Sequence, residues 1–155
     1  MTLDEYLGIG NTVQLGTHEF QPGEIKAFAA KFDPQPFHLD EEAAKNSVFG
    51  ALCASGWHTA AMWMKYNLAQ ITSAQAVWTG VGPAPEFGPS PGFKNLKWLK
   101  PVYAGEAISF TRTGIGYRPM ASRPGWQVLT ILAEAFDSTG AKVIEFENSV
   151  LVKTG

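Results

Sequence analysis

With 155 residues, 45% of them hydrophobic, the chain is sized for one domain spanning residues 1–155 that buries roughly 70% of its unfolded surface. Twelve Lys and Arg against 14 Asp and Glu leave a formal charge of -2 and no basic block, so nothing here would neutralise a row of phosphates and nucleic acid is excluded as a partner. The single cysteine, Cys53, excludes an intrachain disulfide framework and a cysteine-cluster zinc site.

The opening "MTLDEYLGIG" has no basic region, apolar core or small-residue cleavage site, and a cytoplasmic location is the expectation. "QPGEIKAFAAKF" places Pro22 in a first helical turn and Ile25, Phe28, Ala29 and Phe32 on one face, which predicts a short amphipathic helix. Asp40 followed by "EEAAK" predicts an N-cap and a second short helix starting just after His38. Between the two, "DPQPFH" reads as a connector.

From Gly56, "GWHTAAMWMKYNLAQI" carries apolar residues all round the helix, the pattern of a buried helix. Lys65, Asn67 and Gln70 interrupt a run shorter than the ~20 residues of a membrane span, so no membrane crossing is expected. Residues 80–92, "GVGPAPEFGPSPG", hold four glycines and four prolines and predict a long surface loop, neither helix nor strand interior. "GFKNLKWLKPVYAGE" predicts a strand with Pro101 at its end or on an edge. "EAISFTRTG" and "KVIEFENSVLV" alternate apolar and polar residues, as strands with one wet face do. "GWQVLTILAEAF" is more continuously apolar and predicts a central strand, joined to the last one through "DSTG" in an antiparallel hairpin. The sum is an α+β layout, an antiparallel sheet packed on one apolar helix.

The chemistry-bearing candidates are Asp33 and His38. Five positions apart, they share a face of neither a straight strand nor a helix. Pro34 and Pro36 fix two φ angles and bias Asp33 and Gln35 towards extended backbone. A bend that brings acid and imidazole together is therefore open to this stretch; so is an ordinary polar loop ahead of a helix.

"FAAKFDPQPFHLDEEAAKNSVFGALCASGW" resembles the segment FA…D-x-N-P-x-H-x-D…A…F…H-G of the MaoC-like dehydratases and (R)-specific enoyl-CoA hydratases, with Asp33, Pro36, His38, Asp40, Phe49 and Gly56 in register. "NLKWLKPVYAGE" resembles the family's strand ending in Pro-Val and a Gly-Asp turn, here Pro101, Val102, Gly105 and Glu106. The resemblance implies a hotdog fold, an antiparallel sheet wrapped around one central helix. It implies a homodimer or higher homo-oligomer, and reversible addition of water to an enoyl thioester of coenzyme A or an acyl carrier protein, with no metal and no cofactor beyond the thioester itself.

In that reaction Asp33 and His38 would hold one water and move its proton, and the Gly56 N–H at a helix N-terminus would meet the developing enolate oxygen. Gln35, Ser55 and Trp57 are the further candidates for substrate contact. Gln35 stands where the family has Asn, and Ser55 where it has His. A hotdog acyl-CoA thioesterase and a non-catalytic acyl-CoA-binding subunit are the rival readings. Lys94, Lys97, Lys100, Arg112, Arg118 and Arg123 are candidates for the phosphates of coenzyme A or for plain solvated surface. His58 is expected as a satisfied buried histidine, and Cys53 as a small buried residue.

Overall fold

The structure is a computed structural model describing residues 1–74 and 76–155. Its sheet is built from β1 (Thr12–Glu19), β2 (Glu86–Phe87), β3 (Gly92–Trp98), β4 (Ala107–Pro119), β5 (Trp126–Phe136) and β6 (Lys142–Lys153). The order is β1-β4-β5-β6, with β2 and β3 both paired to β6 and every strand pair antiparallel. The run "GWQVLTILAEAF" is central, as its continuous apolarity predicts: Leu129, Ile131, Ala133 and Ala135 are buried, and the intervening residues are partly covered. At the hairpin turn, Asp137 accepts hydrogen bonds from Thr139 N (2.9 Å), Thr139 Oγ1 (2.6 Å) and Ala141 N (3.0 Å), an aspartate mimicking a backbone turn.

The helices are α1 (Leu3–Leu7), α2 (Pro22–Phe32), α3 (Pro36–Leu39), α4 (Glu41–Lys45) and α5 (Gly56–Ser73). α5 lies against the sheet through Trp63, which is fully buried, stands edge-on to Phe146 and donates its indole N–H to Thr111 O at 2.8 Å. Truncating such a side chain to alanine costs ~3–5 kcal/mol. Tyr66 packs its ring where a Cβ on Gly16 would lie, 2.7 Å away, and Gly16 sits at φ +136° in a bulge of β1. Only glycine meets both demands without strain. This antiparallel sheet folded over one long helix is the hotdog arrangement.

Several expectations need correction. α5 is not buried all round: its inner face carries His58, Thr59, Trp63 and Asn67, while Trp57 and Leu68 are 48% and 55% exposed, because one chain covers only the side of the helix that meets its own sheet. Phe32 does not share the buried face of Ile25 and Ala29; it is 68% exposed at the end of α2. The connector "DPQPFH" is not all loop, since Pro36–Leu39 forms a helical turn that contains His38. The Gly/Pro-rich stretch contributes the two-residue β2, and "GFKNLKW" ends at Trp98, ahead of Pro101. No helix among the described residues is long and apolar enough to cross a membrane.

Candidate functional site

Asp33 closes α2, with its N–H bonded to Ala29 O at 2.9 Å. Pro34 cannot continue the helix. Gln35 is extended at φ -92° and ψ 144°, the conformation a following proline imposes, and its N–H bonds back to Asp33 O at 2.7 Å. Pro36 then takes the first position of α3, which needs no N–H donor. A helix end, one extended residue and a single helical turn together fold the acid back on the imidazole: His38 Nε2 lies 3.4 Å from Asp33 Oδ2.

The imidazole is buried, and its Nδ1 is 2.6 Å from Cys53 O. A carbonyl only accepts, so Nδ1 carries the proton and the neutral ring keeps its lone pair on Nε2. Nε2 and the carboxylate are then two acceptors facing each other beyond direct hydrogen-bond range. A water giving one hydrogen to each, or a proton on the ring, satisfies both. Burial works to raise the Asp33 pKa, but Gln35 Nε2 on Oδ1 (2.6 Å), Ser55 Oγ on Oδ2 (2.7 Å) and, when its ring is protonated, the charge of His38 outweigh it and hold the carboxyl below its ordinary value.

Ser55, fully buried, is the N-cap of α5: its hydroxyl oxygen accepts from Trp57 N at 3.3 Å while its hydrogen goes to Asp33. Gly56 follows as the first helical residue. Its N–H has no acceptor inside the helix, and it stands at the positive end of an 18-residue helix. Asp33, Gln35, His38, Gly56 and Trp57 all line one cleft of about 480 Å³, together with Phe32, Phe37, Cys53 and Trp98. All six candidate residues are thus at or against this cleft, Ser55 behind it. The Cys53 thiol is buried and pushed up to about 11 by desolvation, which removes it as a nucleophile; its backbone carbonyl, which holds His38, carries no sequence signal.

Of the remaining candidates, only Lys100 touches this cleft. His58 is buried but not satisfied: Nδ1 has no partner among the described residues, and the ring stacks on Phe28 at 4.6 Å and 8°. Burial, aided by His18 and opposed by Glu24, pushes its pKa down and keeps it neutral. His18 bridges Glu24 (2.6 Å) and the Tyr66 hydroxyl (3.0 Å). Lys100 reaches the rim of the cleft but pairs with Asp137. Arg112 donates to Asn67 and Gln70 at 2.6 and 2.7 Å, and Arg123 lies over the Trp126 ring.

The family model described as MaoC like domain matches residues 8–121. A MaoC-like dehydratase from Rhodospirillum rubrum is 34% identical, with a TM-score of 0.80 over 100% of this chain and 98% of its own. The uncharacterized protein YdeM of Bacillus subtilis (strain 168) is 28% identical over 99% of both chains. The (R)-hydratase from A. caviae involved in PHA biosynthesis, at 21% identity, shares the fold, with a TM-score of 0.66 over 95% of this chain and 96% of its own. By sequence and by fold, the chain belongs to the MaoC-like domain family.

Proposed function

We propose that the protein is a hydro-lyase that reversibly hydrates a trans-2-enoyl thioester to a (3R)-hydroxyacyl thioester. The observation that carries this reading is the convergence of Asp33 and His38, at 3.4 Å, in the cleft that also holds Gly56. Water is a poor nucleophile, and its oxygen attacks Cβ as the acid–base pair takes its proton. The pair returns one proton to Cα on the same face, so one molecule of water is added in all. A positioned acid–base pair contributes ~10²–10⁴ in rate.

Electron density moves onto the thioester oxygen as the enolate forms, and the Gly56 N–H supports it there. Ser55 and Gln35 position the carboxylate and keep it ionised; Trp57 forms part of the acyl-binding wall. The substrate is an acyl-CoA or acyl-carrier thioester, and the reaction uses no other cofactor.

A second copy of the chain completes the protein in this reading. β3 pairs only with β6 among the described residues, and beside it a groove of about 300 Å³ is lined by Trp57, Ala61, Met64, Phe93 and Phe146. An apolar groove beside an open strand edge is a surface that a homodimer buries.

Incubation with enoyl-CoAs of varied length and branching tests the reading. Loss of enoyl absorbance without release of thiol is the expected result. Thiol release would make the protein a thioesterase, and tight acyl-CoA binding without turnover a non-catalytic subunit.

A further inference from the structure

We propose that the indole N–H of Trp98 is a second donor to the thioester oxygen, acting beside the Gly56 N–H. The inference rests on the hydratase reading and adds a catalytic residue to it.

Trp98 ends β3, where pairing with Ile144 fixes its main chain. Its ring lies on the first residue of α5: a Cβ built on Gly56 would be 2.3 Å from Trp98 Cε2 and 2.4 Å from Nε1. Glycine at position 56 is what lets the nitrogen edge of the indole reach the main chain that carries the first donor. Trp57 stands edge-on to Trp98 at 5.0 Å and 84°, and Trp98 keeps 48% of its surface exposed, open to a bound ligand.

An indole N–H donates and never accepts. Those of Trp63 and Trp78 are satisfied by Thr111 O at 2.8 Å and Gly82 O at 3.1 Å. Those of Trp57, Trp98 and Trp126 have no protein acceptor among the described residues; Trp57 and Trp98 line the same cleft as Asp33 and His38, and of these Trp98 is the one with its nitrogen edge against Gly56. An enolate oxygen accepts two hydrogen bonds, and donors fixed before the charge develops are those that speed the reaction. The hydrogen stays on nitrogen throughout, so the proton balance of the hydration is unchanged.

The test replaces Trp98 by benzothienylalanine, which keeps the bicyclic shape and has sulfur where the N–H was. The expected result is a fall in kcat of ~10²–10³, the loss seen when one oxyanion donor is removed, with little change in KM. The red shift in absorbance of a bound 2,4-dienoyl-CoA, which reports carbonyl polarisation, should shrink in parallel. In the unmodified protein, the indole N–H proton resonance of Trp98 should move downfield when an unreactive saturated acyl-CoA binds, a measurement that stands even if the variant fails to fold.

An unchanged kcat in a folded variant, or an unmoved resonance in the unmodified protein, overturns the role of Trp98 and leaves the hydratase reading intact. If the unmodified protein hydrates no enoyl thioester, the hydratase reading fails and takes this inference with it.

Discussion

Replacing Asp33 by Asn removes a charge and almost no volume, so it separates the chemistry of the cleft from its packing. The carboxylate accepts Gln35 Nε2 on one oxygen and Ser55 Oγ on the other, at 2.6 and 2.7 Å. An amide has one oxygen, so one donor keeps its partner and the other meets an NH₂ group. A hydrogen bond to a charged group contributes about 1.5–3 kcal/mol and a neutral one about 0.5–1.5. Losing one and weakening the other, with some return as the new NH₂ donates towards His38 Nε2, costs about 2 kcal/mol at neutral pH.

The pH dependence has a definite sign. The Asp33 pKa is lower in the folded protein, so its stabilisation is complete above the unfolded value of about 3.9 and fades as pH falls through the folded value. The stability gap between the natural protein and D33N, read from urea midpoints at unchanged m, should narrow below about pH 4. Hydration should fall by at least ~10² at neutral pH. A folded D33N protein that turns over enoyl thioesters at near-native rate would refute the acid–base reasoning, and a stability gap independent of pH would refute the electrostatic reasoning.

Ser55→Ala removes both the cap of α5 and a donor to Asp33; about 1–3 kcal/mol of stability should go, and the acid limb of the rate profile should move to higher pH as the Asp33 pKa rises. An unmoved limb would show that the hydroxyl does not tune the carboxylate. Gly56→Ala drives a methyl group into the Trp98 ring, and overpacking of this kind costs about 1–3 kcal/mol. Thermal unfolding should show most of that loss recovered on adding Trp98→Ala; additive effects of the two substitutions would deny the contact. The Cys53 thiol, buried and with its pKa near 11, should resist a disulfide reagent at about pH 8 until denaturant exposes it, and stoichiometric labelling of the native protein within the mixing time would contradict its burial.

β4 and β6 were legible because period-two alternation survives in them: Ile108, Phe110, Ile144 and Phe146 are buried, with Ser109 and Glu145 between them, whereas β5 was legible as a continuous apolar run. β1 gave no such signal. Of "TVQLGTHE" only Leu15 is buried, and the bulge at Gly16 breaks the alternation where the ring of Tyr66 comes in. α5 misled for the opposite reason. Its inner face spends polar residues on specific partners, as Asn67 does on Arg112, while apolar Trp57 and Leu68 stay outside; apolarity all round therefore did not report burial all round.

The same distinction governs the site. The family resemblance singles out Asp33 and His38 as a pair; the two prolines leave a bend between them open without requiring it, and that bend is local, made by those prolines and a helix end. Ser55 and Cys53 reach them across 22 and 15 positions, and Trp98 meets Gly56 from a different element of the fold; no spacing rule announces such contacts. Gln35 and Ser55, the two positions that depart from the family's usual residues, looked in the sequence like independent weaknesses of the match. In the fold both donate to the one carboxylate, one to each oxygen. Each favours the ionised acid over the neutral one, so the departures act in the same direction, holding Asp33 charged and aimed at His38.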